Sequence, residues 1–437
     1  MIATSSRRVV ITGAGLITPL GNTLQPFWES LINGQSGIVP MTLVPPGVLP
    51  TSVAAECQDF TGHIDDFGEL DKDQKRAIRK GTKMMCREIQ MGVAAAQRAL
   101  ASAGLRSGEY DPEQTGAVFG SDYILTVPGE FADAINHCVG DDQTFDFSRW
   151  ADDGLPHVTP LWLLKYLPNM PASHVAIYND LRGPNNSITM REASANLAIG
   201  EAYCMIARGA ADAIVAGATG TRVHPMRTIH VALQEQLTAE AEDPAAASRP
   251  FDLDRTGMVV GEGAAAVVLE ELETARRRGV PILGEVIGHA SSTVMDRQGV
   301  GHRGLAISNV IKQACRCADI EPDAIGHVHA HGIATTQGDV EEARGLRDAF
   351  TRVPPVVAAK SYFGNLGAGS GMVELIASTL AFQHGRLFRV LNYQKPDPEC
   401  PIDVVTNTDV DPGETFININ TTPQGQASAV VVRKWTG

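Results

Sequence analysis

Seven short apolar runs set the architecture this chain can adopt: RVVITGAG (8–15), TGAVFG (115–120), ADAIVAGAT (211–219), AAAVVLEE (264–271), IGHVHAHG (325–332), PVVAAK (355–360) and SAVVVRKW (428–435). Between them lie helical segments such as EIQMGVAAAQRALASAGL, EASANLAIGEAYCMIARG and GMVELIASTLAFQHG. Apolar strands alternating with helices are the pattern of βαβ units, in which a mixed or parallel sheet is covered on both faces. The chain therefore reads as α/β. Its 437 residues exceed one ordinary domain, so either two domains or one large unit of two similar halves is implied. Two of the helices run into Gly209 and Gly385, where a helix C-terminus commonly needs a left-handed residue. From about 121 to 180 the regularity is lost, and this stretch reads as an insertion that caps the core and lines a pocket or an oligomer interface. No low-complexity linker separates the halves. A soft boundary after VLEELETARRRG, near 273–280, divides residues 1–273 from 274–437.

Composition narrows the function classes. Hydrophobic residues make up 43%, charged residues 20%, and there are 43 glycines, the profile of a loop-rich globular protein. The start MIATSSRRVVITGAG does not read as a signal peptide, and no run of 18 apolar residues appears, so a cytoplasmic protein without a membrane partner is expected. Seven scattered cysteines suit reduced thiols better than a disulfide framework; the Cys315 and Cys317 pair lies within the helical run ISNVIKQACRCADI and is read as incidental. A net charge of -14 argues against a nucleic-acid partner. One stretch runs against that balance: DKDQKRAIRKGTKMMCR places Lys72, Lys75, Arg76, Arg79, Lys80, Lys83 and Arg87 within about four helical turns. It is either a solvated helix face or a docking patch for an acidic partner.

Two motifs that suggest a cofactor or a metal fail on inspection. In VVITGAGLITPLG, Gly13 and Gly15 are followed by Thr18 where a dinucleotide loop needs its third glycine, and Pro19 falls where the helix begins. His327, His329 and His331 alternate along a strand and share one face, yet no carboxylate or thiol stands beside them at ligand spacing. No cofactor and no metal site is expected.

The segments VVITGAGLITPLGN, ADAIVAGAT, ASRPFDLDRTGMVVGEGAAAVVLEE, HAHGIATTQGDVEE and AAKSYFGNLGAGSGMVE together resemble, in order and spacing, the β-ketoacyl-acyl carrier protein synthase II family across nearly the whole chain. That resemblance implies a thiolase-like fold: two related β-α-β-α-β-α-β halves in a five-layered α-β-α-β-α core, assembled as a dimer. It also implies an acyl carrier protein as partner, met by Lys72, Lys75, Arg76, Arg79, Lys80 and Lys83. Members of the family place a cysteine at the N-terminus of a buried helix, where amides and helix dipole favour the thiolate. Two histidines then donate to the malonyl thioester carbonyl and stabilise the enolate left by decarboxylation.

Departures from that pattern carry the functional reading. In GPNNSITMREASANLAIGEA the family's cysteine position, nine residues after Gly183, is Glu192. Cys204 lies about 18 Å further along the helix and cannot replace it. The first histidine is retained as His331, with Asp339 and Glu342 following. The second has become Asn365, an amide able to donate the same bond, and Lys360 and Glu374, which brace the family's site, are present. The gating loop reads Thr422-Pro423-Gln424-Gly425-Gln426, without phenylalanine. A carboxylate is a poor acyl acceptor, so ordinary condensation should fail. The leading expectation is a chain-length-factor-like subunit that pairs with an active ketosynthase. A second is a carrier-bound acyl decarboxylase, hydrolase or dehydratase using Glu192, His331 and Asn365. A third is a non-catalytic homodimer that binds the carrier. In the first case Glu192 is a plug, bonded to backbone amides and to His331.

Overall fold

Val9–Ile17 (β1) is buried along its whole length, as an unalternating apolar run requires. With Thr115–Ser121 (β2), Asn185–Thr189 (β3), Ala213–Thr221 (β4) and Val260–Glu271 (β5) it builds a first set of strands in the order β3-β2-β4-β5-β1. Gly284–Thr293 (β6), His327–His329 (β7), Val356–Val357 (β8), Thr415–Thr421 (β9) and Gln426–Arg433 (β10) build a second in the order β8-β7-β9-β10-β6. The two orders are the same, and so are the directions: β2 and β7 each lie parallel to both neighbours, and the remaining pairs are antiparallel. The sets join where β1 meets β6 antiparallel, Val9 opposite Val286. The structure, a computed structural model, describes residues 7–437 apart from Pro46, Ser107 and Glu240. The first six residues, part of the stretch read above for a targeting signal, lie outside it.

Helices complete the layers. Ser194–Ala207 (α4) and Ser370–His384 (α8) lie between the two sets of strands. From Ser370 through Phe382 every residue of α8 is buried, which is why its sequence shows no polar face. On the outside, Arg87–Ser102 (α2) covers β1, β4 and β5, while Arg303–Cys317 (α6) and Thr336–Ala349 (α7) cover the second set. Gly13 and Gly15 are explained by α2: a Cβ on either would stand 2.5 Å from the Ala99 carbonyl oxygen or 2.3 Å from that of Ala95. These glycines serve close helix-strand packing. Gly209 and Gly385 take φ of 79° and 64° at the ends of α4 and α8, the left-handed turn expected of them.

Lys72–Gly81 (α1) is capped by Asp71, whose side chain accepts from the amides of Asp73 and Gln74. Residues 121–180 hold only short helical turns and Met170–Asn179 (α3). Among the described residues no helix is long and apolar enough to cross a membrane. Cys315 is buried and Cys317 exposed on opposite sides of α6.

Candidate functional site

The turn that feeds α4 sets the position of Glu192. Arg191 takes φ of 50°, a left-handed conformation that costs a non-glycine residue and marks a constrained site. Ser194 closes the turn, accepting from the Met190 amide at 2.8 Å and donating to the Ser121 carbonyl at 3.1 Å. Glu192, on the short turn Arg191–Ala193, is left 1% exposed. Its Oε1 accepts from Arg222 Nη2 at 2.5 Å and from Asn365 Nδ2 at 3.1 Å. Its Oε2 lies 3.4 Å from Arg191 Nε. Arg222 follows directly on β4, is fully buried, and also places Nη1 2.8 Å from Asp122 Oδ2. Burial would push the Glu192 carboxyl up; Arg191 and then Arg222 outweigh it and hold the group well below the usual carboxylate range. Glu192 is thus an anion held beside guanidinium groups and by its own backbone amide, the amide contact being the one the sequence suggested. Among the described residues no hydrogen bond joins it to His331.

His331 falls beyond the end of β7, since the strand expected over 325–332 runs only from His327 to His329. Its amide and that of Gly332 donate to the two oxygens of Glu342, both at 2.7 Å. Lys360 Nζ stands 3.4 Å from His331 Nδ1. An ammonium only donates, so Nδ1 is the acceptor and the ring proton sits on Nε2. Burial, and then Lys360, push the imidazole well below its ordinary range, against the pull of Glu192, so His331 is neutral. Lys360 begins a short helix rather than ending a strand; it donates to Glu374, whose other oxygen accepts from Asn420 at 2.7 Å. Asn420 in turn accepts from Asn196 of α4 at 3.0 Å. Asn365 Oδ1 accepts from Gly367 N and Ser370 Oγ, which fixes its amide to donate toward Glu192. Glu192, Asn365, His331, Lys360 and Glu374 therefore form one buried group. Burial raises Glu342 to about 7 and Asp339 to about 6.

The other two histidines have a separate occupation. Ser378 Oγ lies 3.1 Å from His327 Nε2 and 2.8 Å from His329 Nδ1. His327 Nδ1 donates to the Pro412 carbonyl and His329 Nε2 accepts from the Ala359 amide, so both rings are neutral and saturated. Asp133, His137 and His157 bring ligand atoms within 4.8 Å of one another on the cap. The two rings stack 3.5 Å apart and 17° from parallel, and the Nδ1 atoms of both face the exposed Asp133 carboxylate, at 3.6 and 3.2 Å. Cys204, at the far end of α4, faces His289 Nε2 at 3.3 Å.

Outside the pocket the ionic chain continues. Arg191 donates to Gln234 Oε1 at 2.6 Å and Gln424 Oε1 at 3.3 Å, and pairs with Glu235 at 3.3 Å; Glu235 pairs in turn with Arg303 at 3.4 Å. Beyond it lies a surface cleft of about 420 Å³, lined among others by Gln234, Glu235, Arg303, Thr335, Gln337 and Pro423. Of the basic stretch, Lys72, Arg76, Arg79, Lys80 and Lys83 are exposed and Lys75 is half-buried. Arg87 turns inward and pairs with buried Glu262 at 2.7 Å. Arg222, Asp122, Arg191 and Glu235 escaped the sequence reading because their partners are distant in the chain. The available signal was a cation, Arg222, set just beyond the largely apolar run ADAIVAGAT.

Two related sets of strands around a central helix pair, with a buried site at the N-terminus of one of those helices, define the thiolase-like ketosynthase fold. The β-ketoacyl synthase N-terminal domain matches residues 6–275 and the C-terminal domain residues 283–394, and the chain belongs to the β-ketoacyl synthase family. The chain is 32% identical over 412 residues to a 3-oxoacyl-acyl-carrier-protein synthase 2 of Synechocystis sp., covering 91% of each protein. A β-ketoacyl synthase from Burkholderia phymatum superposes with a TM-score of 0.83 at 26% identity, over 98% of this chain and all of the other. The ishigamide ketosynthase/chain length factor superposes at 0.81 and 25%, with the same coverage.

Proposed function

We propose that this chain is a condensation-inactive, chain-length-factor-like subunit of fatty acid or polyketide biosynthesis, which pairs with an active ketosynthase and receives an acyl carrier protein on α1. The clamp on Glu192 carries this reading. Acyl transfer needs a strongly basic lone pair aimed at the thioester, and Arg222, bonded to Oε1, with Arg191, 3.4 Å from Oε2, lowers the basicity of this carboxylate. The same clamp weighs against the catalytic alternatives. A decarboxylase would require Glu192 protonated so as not to repel a malonyl carboxylate, whereas its neighbours hold it ionised. A hydrolase or dehydratase would require it as a general base, whereas cationic partners lower its basicity. Similarity to a ketosynthase/chain length factor structure and to synthases named for acyl-carrier-protein substrates supports the assignment of partners.

The test is Glu192→Gln, assayed together with the partner ketosynthase and carrier, with products read by mass spectrometry. An unchanged product profile is expected, because glutamine keeps the shape and loses only the charge. A fall in turnover of roughly a hundredfold, with assembly and carrier affinity unchanged, would overturn the reading and establish Glu192 as a base.

A further inference from the structure

Between the surface cleft and buried Glu192 stands a chain of ion pairs. Glu235 and Arg303 line the cleft, as do Gln234 and Pro423, whereas Glu192, Asn365 and His331 do not. Arg191 is the link between the two spaces: it touches Gln234 and Glu235 on the cleft side and Glu192 on the pocket side. Side-chain exposure is 1% at Glu192, 12% at Arg191, 3% at Glu235 and 15% at Arg303, so the whole link is largely out of water. Four separate pieces of chain meet here: the turn before α4, the segment after the helix Pro225–Ala232, the start of α6, and the hairpin between β9 and β10 that supplies Gln424.

We propose that Arg191, Glu235 and Arg303 form an ion-paired gate, braced by Gln234 and Gln424, that closes the passage between the surface cleft and the Glu192 pocket. This rests on reading that pocket as the counterpart of the family's condensing site. The physics favours a closed state. Separating Arg191 from Glu235 strips charges that are nearly out of water, and a neutral acyl thioester entering the gap offers neither side chain a replacement partner. Specificity follows from the same argument: uncharged acyl groups are turned away at Arg191, and only an occupant carrying an anion can exchange with Glu235 for the guanidinium. Glu235 is the single residue that holds both cations, so removing its charge should open the gate without touching Glu192, Arg222 or Asn365.

The experiment reads access directly. Glu192→Cys places a thiol behind the gate, and its alkylation by iodoacetamide is followed by peptide-resolved mass spectrometry beside the exposed Cys317 and the buried Cys57 and Cys315. In the otherwise unaltered chain the introduced thiol should react at least tenfold more slowly than Cys317. Adding Glu235→Gln should raise its rate tenfold or more while Cys57 and Cys315 stay protected, and Arg303→Gln should raise it less, since Arg191 keeps its hold on Glu235. Labelling at the rate of Cys317 with Glu235 in place would overturn the proposal. So would an unchanged rate in the Glu235→Gln background, or a rise shared equally by Cys57 and Cys315, which reports unfolding. None of these rates depends on turnover, so a gate that fails and a non-catalytic role that fails give different results.

Discussion

Arg222 stands fully buried between Asp122 and Glu192. Removing a guanidinium from water costs many kcal/mol, and such a residue is tolerated only where partners replace the lost hydration. Burial alone would lower its affinity for the proton, but the two carboxylates reverse that and push it above its ordinary value. Arg222→Met keeps much of the volume and leaves two buried anions without their shared cation. The expected cost is about 3–5 kcal/mol of unfolding free energy at pH 8, measured by urea titration. Its pH dependence has a definite sign. In the native chain the Glu192 carboxyl lies below its unfolded value, so its contribution is present above about pH 4.3 and is lost as pH falls through the folded value. Without Arg222 only Arg191 remains as a guanidinium opposing burial, so the folded value rises and the group contributes less stability as pH climbs. The deficit should therefore shrink between pH 8 and pH 5, and Glu192→Gln added to Arg222→Met should recover part of it. A deficit under about 1 kcal/mol, or one independent of pH, would show that Arg222 is not the partner that makes Glu192 tolerable.

At the scale of elements, α1 presents Lys72, Arg76, Arg79 and Lys80 to solvent while Ile78 anchors it to the core. No carboxylate forms a salt bridge with any of them among the described residues, so their positive field is free to meet an acidic surface. Changing Lys75, Arg76 and Arg79 to glutamate should weaken binding of acyl carrier protein, chiefly by slowing association, and the native interaction should weaken as salt rises. Unchanged affinity in titration calorimetry would place docking elsewhere. Legibility differed from element to element for physical reasons. Runs such as VVITGAGLI and AIVAGAT were visible because strands buried on both faces must be apolar throughout. β3, NNSIT, was not read, since an edge strand with exposed faces has no need of an apolar pattern. β9 was missed because its asparagines are buried but each bonded to Asn196 of α4, so Asn418 and Asn420 look like loop residues in sequence. His331, Asn365, Lys360 and Glu374 were legible through resemblance to a family motif, whereas the ionic chain from Asp122 to Arg303 was not, because ion pairing leaves no periodic trace.

For the molecule as a whole, the repeated strand order ends differently at its two edges. β8 is two residues long and buried, a short edge that invites no pairing. β3 at the opposite edge is exposed, and α3, which packs beside it, leaves Ile177 69% exposed. An uncovered strand beside exposed apolar side chains is where a second chain adds most favourably, by continuing the sheet and burying that surface together. Ser187 offers a way to test this without harming the fold. Its amide donates to the Asn186 side-chain oxygen at 2.9 Å rather than to β2, so it faces the open edge. Ser187→Pro removes that outward donor and sets a ring against any incoming strand, while the ladder to β2 keeps its own bonds. Light scattering of the native chain, alone or with its ketosynthase, should give about twice the mass of one 46.5 kDa chain. The variant should fall to the mass of one chain at micromolar concentration while its circular dichroism stays native. A variant that remains paired would exclude the β3 edge as the interface and move the pairing surface to the cap.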